Sequence, residues 1–274
     1  MRARFLLCGV VGVLFAPDAL AWGLQTHVFL AQWLLAAAPF ADPQIRAAAQ
    51  RLPRLVLAGA CLPDLALAGR ALGLGAFRRA HQWSTLRRLA AACWDEERAI
   101  AVGYASHLLA DVVAHNRFVP EHERRILDVP HITHALCEWA MDRHVMPALR
   151  AQPADLLREE TPLLTEAAAR AFRCPQRIAR QGIAFLAGAE RTLRVSRLPL
   201  LCSRTLALLQ GDTRPALDAY VHEACSLVRH AESVLQGAEP RLQPEPQSDE
   251  NQAIANDPAA ISAPSAPPAI TSLG

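Results

Sequence analysis

The chain has 274 residues, of which 52% are hydrophobic and only 5% aromatic, and its formal net charge is +2 at pH 7. This near-neutral balance gives no broad positive surface for nucleic acid, so a stable nucleic-acid partner is not expected. All of the fixed positive charge is arginine, because the sequence contains no lysine. Apolar residues recur with the 3.6-residue period of a helix and rarely alternate, which predicts an all-α fold in a single multi-helix domain.

The first 21 residues have the pattern of a secretion signal. Two arginines precede an apolar run over residues 5–15 that is too short to span a bilayer, and Ala19-Leu20-Ala21 forms a small-x-small cleavage site. Cleavage after Ala21 makes Trp22 the first residue of the mature protein. We therefore expect an exported protein, periplasmic or secreted; the alternative is that the apolar run is a buried first helix.

The remaining chain divides into a helical domain and a tail. The domain is expected over residues 22–236, and residues 237–274 are rich in Pro, Gln, Ser and Ala without periodicity, which predicts a disordered tail. Proline interrupts the apolar segment 55–72 at Pro63 and presents Asp64 at the break. The other expected helices cover residues 28–37, 43–50, 85–93, 95–115 (closed by 118–120), 161–172, 175–195 and 212–237.

Three side chains that can bind metal lie on one face of the helix predicted over 95–115. His107, Asp111 and His115 are spaced at i, i+4 and i+8, so they fall within about 80° of one another on a helix. The rest of that face is apolar, and burying such groups costs several kcal/mol unless they are hydrogen-bonded, paired or bound to metal. The alternative is a set of core histidines with one buried His–Asp pair.

Further candidate ligands surround this helix in the sequence. His134 and Glu138 form another i, i+4 pair on one helical face; His131 competes with His134 but has no carboxylate one turn later. Imidazole and carboxylate are good zinc ligands, and carboxylates can bridge two ions. With the terminal amine, the set has enough donors for two or three ions. In chain order it comprises Trp22, His27, Asp64, His81, His107, Asp111, His115, His134 and Glu138.

These motifs resemble the zinc-dependent phospholipase C family, within the superfamily that also holds the S1/P1-type nucleases. The resemblance covers about residues 22–145. It is carried by Trp22-Gly23…Thr26-His27, Ala-Gly…Pro-Asp64, His81, Gly-Tyr-x-Ser-His107-x3-Asp111-x3-His115-Asn116 and His134-x3-Glu138. The best-known bacterial phospholipases and the nucleases have five residues between the central aspartate and the next histidine, whereas this chain has three, as in other phospholipase-like branches.

The resemblance implies up to three zinc ions in a cleft of an all-α domain, with phospholipid or another phosphodiester as substrate and possible peripheral contact with a membrane. Asp64 is implied to be catalytic, by orienting or deprotonating the attacking water, and Asp111 to bridge two ions. By position, Trp22, His27 and Asp111 would hold one ion. A second would take Asp64, His81, His107 and Asp111, and a third His115, His134 and Glu138.

Two other functions are compatible with the same residues. One is an S1/P1-like nuclease or nucleotidase, which would need aromatic side chains to stack bases. The other is an exported metal-binding protein without turnover. Six cysteines remain after removal of the signal, and the sequence leaves open whether they form disulfides or stay as buried thiols.

Overall fold

The computed structural model describes residues 23–37, 39–91, 94–123, 130–238 and 240–244, without the side chains of residue 123 and residues 130–133. No strand occurs in these ranges, and every regular element is helical, which confirms the predicted all-α class. Three short turns accompany the α-helices: 3₁₀ turns at Gly75–Arg79 and Met146–Ala148, and a π turn at Ala114–Phe118. The helices are α1 (Leu24–Ala37), α2 (Pro43–Arg51), α3 (Pro53–Gly59), α4 (Leu65–Leu72), α5 (Trp83–Ala90), α6 (Asp95–Val113), α7 (Val119–Glu123), α8 (Pro130–Val145), α9 (Pro153–Glu159), α10 (Thr161–Ala171), α11 (Gln176–Val195), α12 (Leu198–Gln210), α13 (Arg214–Val228) and α14 (Ala231–Leu235).

Helix α6 is the centre of the fold. Every side chain from Ala99 to Val113 is buried, and the helix packs against α1, α2, α3, α5 and α13. A helix surrounded in this way is buried on all sides rather than amphipathic. Its solvent end begins with Asp95, Glu96 and Glu97, whose negative charges stabilise the positive end of the helix dipole.

Helices α3 and α6 approach each other closely through two glycines. A Cβ on Gly103 would lie 1.9 Å from the carbonyl oxygen of Val56, and one on Gly59 would lie 2.3 Å from that of Ile100. Only glycine permits this separation of the two backbones. The contact places the chain break that follows α3, with Asp64, beside the metal-competent face of α6.

The observed helices differ from the predicted ones in three places. The helix expected to close at 118–120 continues through the π turn into α7, and the helix expected over 212–237 is divided into α13 and α14. Two helices, α9 and α12, were not predicted. Each has proline near its first position, where the fixed φ of proline favours helix initiation. The break predicted at Pro63 is present between α3 and α4.

The predicted signal peptide, Trp22 and residues 245–274 of the predicted tail lie outside the described residues, and the domain boundaries stay a prediction. The last described segment packs on the domain: Leu242 is buried, and its carbonyl oxygen accepts a hydrogen bond from Trp83 Nε1 at 3.3 Å. Within the described part of the chain, no helix combines the length and the hydropathy needed to cross a bilayer.

Candidate metal centre

Helix α6 contributes His107 and Asp111 to a fully buried cluster. His107 Nε2 lies 3.0 Å from Asp111 Oδ2, as the i, i+4 spacing predicts. His107 Nδ1 lies 2.7 Å from the carbonyl oxygen of Ala60, between α3 and α4. Because a carbonyl only accepts, Nδ1 donates this hydrogen bond, and Nε2 points into the cluster. A backbone carbonyl that orients an imidazole in this way is typical of metal-binding histidines.

His27, at the end of the first turn of α1, meets this pair from the opposite side. Its ring stacks on that of His107 with centroids 3.5 Å apart and planes inclined by 12°. His27 Nε2 lies 3.4 Å from Asp111 Oδ1, so the two oxygens of Asp111 face different histidines. This is the arrangement that a bridging carboxylate requires.

Asp64 and His81 complete the cluster. His81 Nε2 lies 3.7 Å from Asp64 Oδ1, 3.5 Å from Asp111 Oδ2 and 3.3 Å from His107 Nε2. Asp64 immediately precedes α4, yet its side chain does not cap that helix, although aspartate is a favoured capping residue. Its carboxylate faces the histidines instead. Two sets of donor atoms lie within 4.8 Å of one another: His27, Asp64 and His107; and His81, His107 and Asp111.

The Gly-Tyr-x-Ser-His motif has a structural explanation. Gly103 permits the close approach to α3, and the hydroxyl of fully buried Tyr104 donates a hydrogen bond to the carbonyl oxygen of Ala80. Ala80 directly precedes His81, so Tyr104 fixes the backbone from which that imidazole projects. The motif therefore positions His81 as well as carrying His107.

His115, His134 and Glu138 form a second cluster. The rings of His115 and His134 have centroids 5.4 Å apart, and His134 Nε2 lies 3.0 Å from Glu138 Oε1. Among the described residues these three do not bring three donor atoms as close together as the first cluster does. Glu138 is fully buried, whereas the side chain of His134 is 18% exposed. The side chain of His131, the alternative to His134, lies outside the described residues.

The π turn at Ala114–Phe118 corrects the expectation of a regular helix through His115. His115 is the second residue of this turn and so does not continue the regular α-helix of His107 and Asp111. Asn116 explains how the turn forms: its Nδ2 donates to the carbonyl oxygen of Val112 at 2.9 Å, which provides a partner where the regular ladder is interrupted. Single π turns of this kind are frequent at functional sites.

Asp142 is a buried residue of the site region that is not among the ligands predicted from the sequence. It lies one turn after Glu138, and its Oδ1 accepts hydrogen bonds from Thr26 N at 2.9 Å and Thr26 Oγ1 at 2.7 Å. A Cβ on Gly23 would lie 2.2 Å from Asp142 Oδ2. Asp142 therefore holds the first turn of α1, which carries His27. The i, i+4 continuation from Glu138 was the only sequence feature that pointed to it.

Electrostatics favour a cation among these groups. Burial raises the pKa of Asp111 against the opposing effect of His107, and it raises the pKa of Glu138 well above its usual range. Burial also lowers the pKa of His115 well below its ordinary value, with His134 adding to the effect. In the described part of the chain, the ion-pair partners of Asp64, Asp111 and Glu138 are all histidines. Buried carboxylates beside imidazoles are the donor set that zinc fits.

The described cysteines are free thiols: Cys61, Cys137, Cys174, Cys202 and Cys225. Burial raises the pKa of the Cys61 thiol well above its usual value, so this group is not a thiolate ligand in the metal-free cluster. The candidate donors are therefore nitrogen and oxygen atoms, as the sequence analysis proposed. That they bind metal remains a prediction.

Comparison with known proteins identifies the family. The family model described as zinc dependent phospholipase C matches residues 26–171, which is more than half of the chain and spans every described residue of both clusters. No curated protein and no solved structure shows significant similarity to the chain. The helical fold, the buried histidine and aspartate groups and the family match agree: the chain belongs to the zinc-dependent phospholipase C family.

Proposed function

We propose that the mature protein is an exported hydrolase that cleaves the phosphodiester bond between diacylglycerol and the head group of a phospholipid. The observation that carries this proposal is the position of Asp111. Its two oxygens face His27 on one side and His81 and His107 on the other, at 3.0–3.5 Å, with Asp64 beside them. Family membership supports zinc-dependent phospholipase C-like hydrolysis, and phospholipid is the substrate class it implies.

The residues present fit two zinc positions around Asp111. One would take His27 with Asp111 Oδ1 and, as we propose, the amino group of Trp22. The other would take Asp64, His81, His107 and Asp111. His115, His134 and Glu138 are proposed for a third. Zinc, when bound, supplies Lewis-acid chemistry: it lowers the pKa of water toward about 7 and offsets negative charge that develops on a phosphoryl oxygen.

Asp64 is the residue we propose for the catalytic role. It is only 3% exposed, and its carboxylate is not used to cap α4. A general base must lie within hydrogen-bond reach of the proton it accepts. At the edge of the cluster, 3.7 Å from His81 Nε2, the Asp64 carboxylate is placed to orient a water and accept its proton. Asp111 and the Nδ1-protonated His107 keep the donor atoms in fixed directions.

Nucleotide hydrolysis is less well supported by the aromatic residues. Trp83 and Trp139 are 6% and 4% exposed and belong to the packed interior. The ring of Trp33 is covered by the guanidinium of Arg229, whose Cζ lies 5.7 Å from the ring centroid. Trp94 is exposed but stands at the start of α6, at the opposite end from Asp111. Base stacking requires an aromatic face open to the site. The four tryptophans of the described part of the chain thus favour phospholipid over nucleotide as substrate.

The test uses the zinc-loaded chain with Trp22 as its first residue, assayed for release of diacylglycerol from phospholipid and for cleavage of a nucleotide diester. Asp111→Asn and His107→Ala are expected to lose both zinc and activity, and Asp64→Asn to lose activity with less loss of zinc. Asp155→Asn, which changes an exposed carboxylate on α9, is the control. Full activity of Asp111→Asn would contradict the proposed metal ligands. Turnover of the nucleotide diester alone would favour the nuclease alternative. Bound zinc without turnover of either substrate would favour a metal-binding protein.

Export is proposed from the sequence of residues 1–21, and it is linked to the site. Only cleavage after Ala21 gives Trp22 a free amine that can ligate metal. Gly23, the next residue, lies against Asp142 at the start of α1, close to His27. N-terminal sequencing of the exported protein is expected to begin at Trp22. A protein that retains residues 1–21 and still binds its full zinc complement would contradict this proposal.

A further inference from the structure

Exposed apolar side chains are concentrated in one segment of the chain. Seven large hydrophobic residues are exposed in the described part of the chain, and four of them lie between residues 195 and 209. On α12, positions 201 and 208 are two helical turns apart and share a face, with position 209 beside it. We call this the apolar patch: Val195 (77% exposed), Leu201 (53%), Leu208 (86%) and Leu209 (53%).

The charge around the apolar patch has one sign. Residues 191–211 contain four arginines and no acidic residue. Arg194 Nη1 lies 3.8 Å from Asp155 Oδ2. The other three, Arg191, Arg197 and Arg204, are exposed and have no ion-pair partner among the described residues. A helix with exposed leucines on one face and unpaired arginines beside it is the composition of a segment that lies on a lipid surface.

One helix lies between the helix of the patch and the candidate metal centre. Helix α12 packs chiefly along α8, which carries His134 and Glu138. His134 and half-buried His115 are the least buried of the described candidate ligands, so the site opens toward the α8 side. Residues 195–209 follow the region that the family model matches, so family membership does not account for the patch.

We propose that the apolar patch docks on an anionic phospholipid bilayer and brings the α8 side of the site to its substrate; this rests on the proposed function. A bilayer matches both properties of the segment, because the leucines enter the interface while the arginines contact anionic head groups. A second copy of the chain matches less well. Two such patches would bring arginines together without an acidic residue in the segment to compensate.

The experiment measures binding of the full chain to vesicles by flotation. Vesicles of phosphatidylcholine mixed with phosphatidylglycerol are expected to bind the protein, with weaker binding at high salt; phosphatidylcholine alone is expected to bind it poorly. Leu208→Gln is expected to weaken binding about tenfold, because a leucine no longer enters the interface. Arg204→Gln is expected to weaken it about fivefold. The matched controls Leu163→Gln and Arg180→Gln change exposed residues of α10 and α11 outside the patch and are expected to bind normally.

Three results would overturn the docking proposal. They are failure to bind either vesicle, equal binding by the patch variants and the controls, and a dimer in sedimentation analysis that Leu208→Gln dissociates. Turnover of a short-chain phospholipid below its micelle concentration separates this proposal from the proposed function. Leu208→Gln is expected to hydrolyse that monomeric substrate as the parent protein does. Vesicle binding by a parent protein that hydrolyses no phospholipid would leave docking intact and refute the proposed function.

Discussion

Asp142→Ala tests how the start of α1 is held. The change removes the acceptor of two hydrogen bonds from Thr26, at 2.9 Å and 2.7 Å, and Thr26 is fully buried. The backbone N–H of Thr26 also has the carbonyl oxygen of Gly23 within reach at 3.0 Å, so the hydroxyl is the donor that loses its partner. An unsatisfied buried donor costs about 1–3 kcal/mol, so the free energy of unfolding is expected to fall by about that amount. Because this turn carries the backbone toward His27, zinc content is expected to fall as well.

The assay is urea unfolding of the parent protein, Asp142→Ala and Asp142→Asn. Burial, aided by the charge of Glu190, raises the pKa of Asp142 to about 8, so the carboxyl is mostly neutral at pH 7 in the metal-free protein. Asparagine is therefore a matched control: it keeps the Oδ1 acceptor, and the expected loss is about 1 kcal/mol or less. A loss below about 1 kcal/mol for the alanine variant would refute the assignment of these hydrogen bonds.

Gly23 provides a second test of the same contact. A methyl group there would lie 2.2 Å from Asp142 Oδ2, so Gly23→Ala is expected to destabilise the parent protein. The loss is expected to be smaller in the Asp142→Ala background, where the oxygen is absent. Additive losses in a double-mutant cycle would contradict the proposed contact.

Three further predictions concern stability. Burial raises the pKa of Glu190 from 4.5 to about 6, so its stabilising contribution is fully present below pH 4.5 and is lost as pH rises through about 6. In the parent protein this lowers the free energy of unfolding by about 2 kcal/mol across that range, and Glu190→Gln is expected to remove the decline. Urea unfolding at several pH values measures it, and an unchanged pH profile in the variant would contradict the assignment. Gly103→Ala places a Cβ 1.9 Å from the carbonyl oxygen of Val56 and is expected to lower the free energy of unfolding by about 3 kcal/mol. Thermal unfolding should show this as a lower Tm, and a Tm equal to that of the parent protein would refute the close packing of α3 and α6. Tyr104→Phe removes the donor to the carbonyl oxygen of Ala80 and is expected to lower the free energy of unfolding in urea by about 1 kcal/mol. The variant is also expected to bind zinc less tightly, and an unchanged zinc affinity would show that Tyr104 does not position His81.

The features that followed from the sequence are local ones. The i, i+4 spacing of His107 and Asp111 placed both on one face of a helix, and Pro63 predicted the break that presents Asp64. The all-α class followed from helical periodicity, which reports burial of one face residue by residue. These properties depend on neighbours within one or two turns, and the structure has each of them.

The features that the sequence did not predict depend on distant contacts. Thr26 and Asp142 are 116 residues apart, and nothing in either segment identifies the other as its partner. Within the π turn, the Asn116 side chain donates a hydrogen bond to the carbonyl oxygen of Val112, a contact that spacing alone does not specify. Helix α12 was missed because its apolar residues occur on the exposed face as well as the buried one, which obscures the helical period.

The arrangement of the candidate ligands could be predicted only in part from the sequence. The sequence supplied the residues, and the structure brings His27, Asp64, His81, His107 and Asp111 into one buried cluster. It arranges His115, His134 and Glu138 more loosely. Distances of this kind depend on the crossing of α1, α6 and α8, which no single helix pattern determines.

The most direct test of the account is the zinc content of the exported protein with Trp22 as its first residue, measured by mass spectrometry beside Asp111→Asn. We expect about two to three zinc ions per chain in the parent protein, given about three protein ligands for each catalytic ion, and a clear loss in Asp111→Asn. Absence of tightly bound zinc from the parent protein, or an undiminished zinc content in Asp111→Asn, would contradict the account.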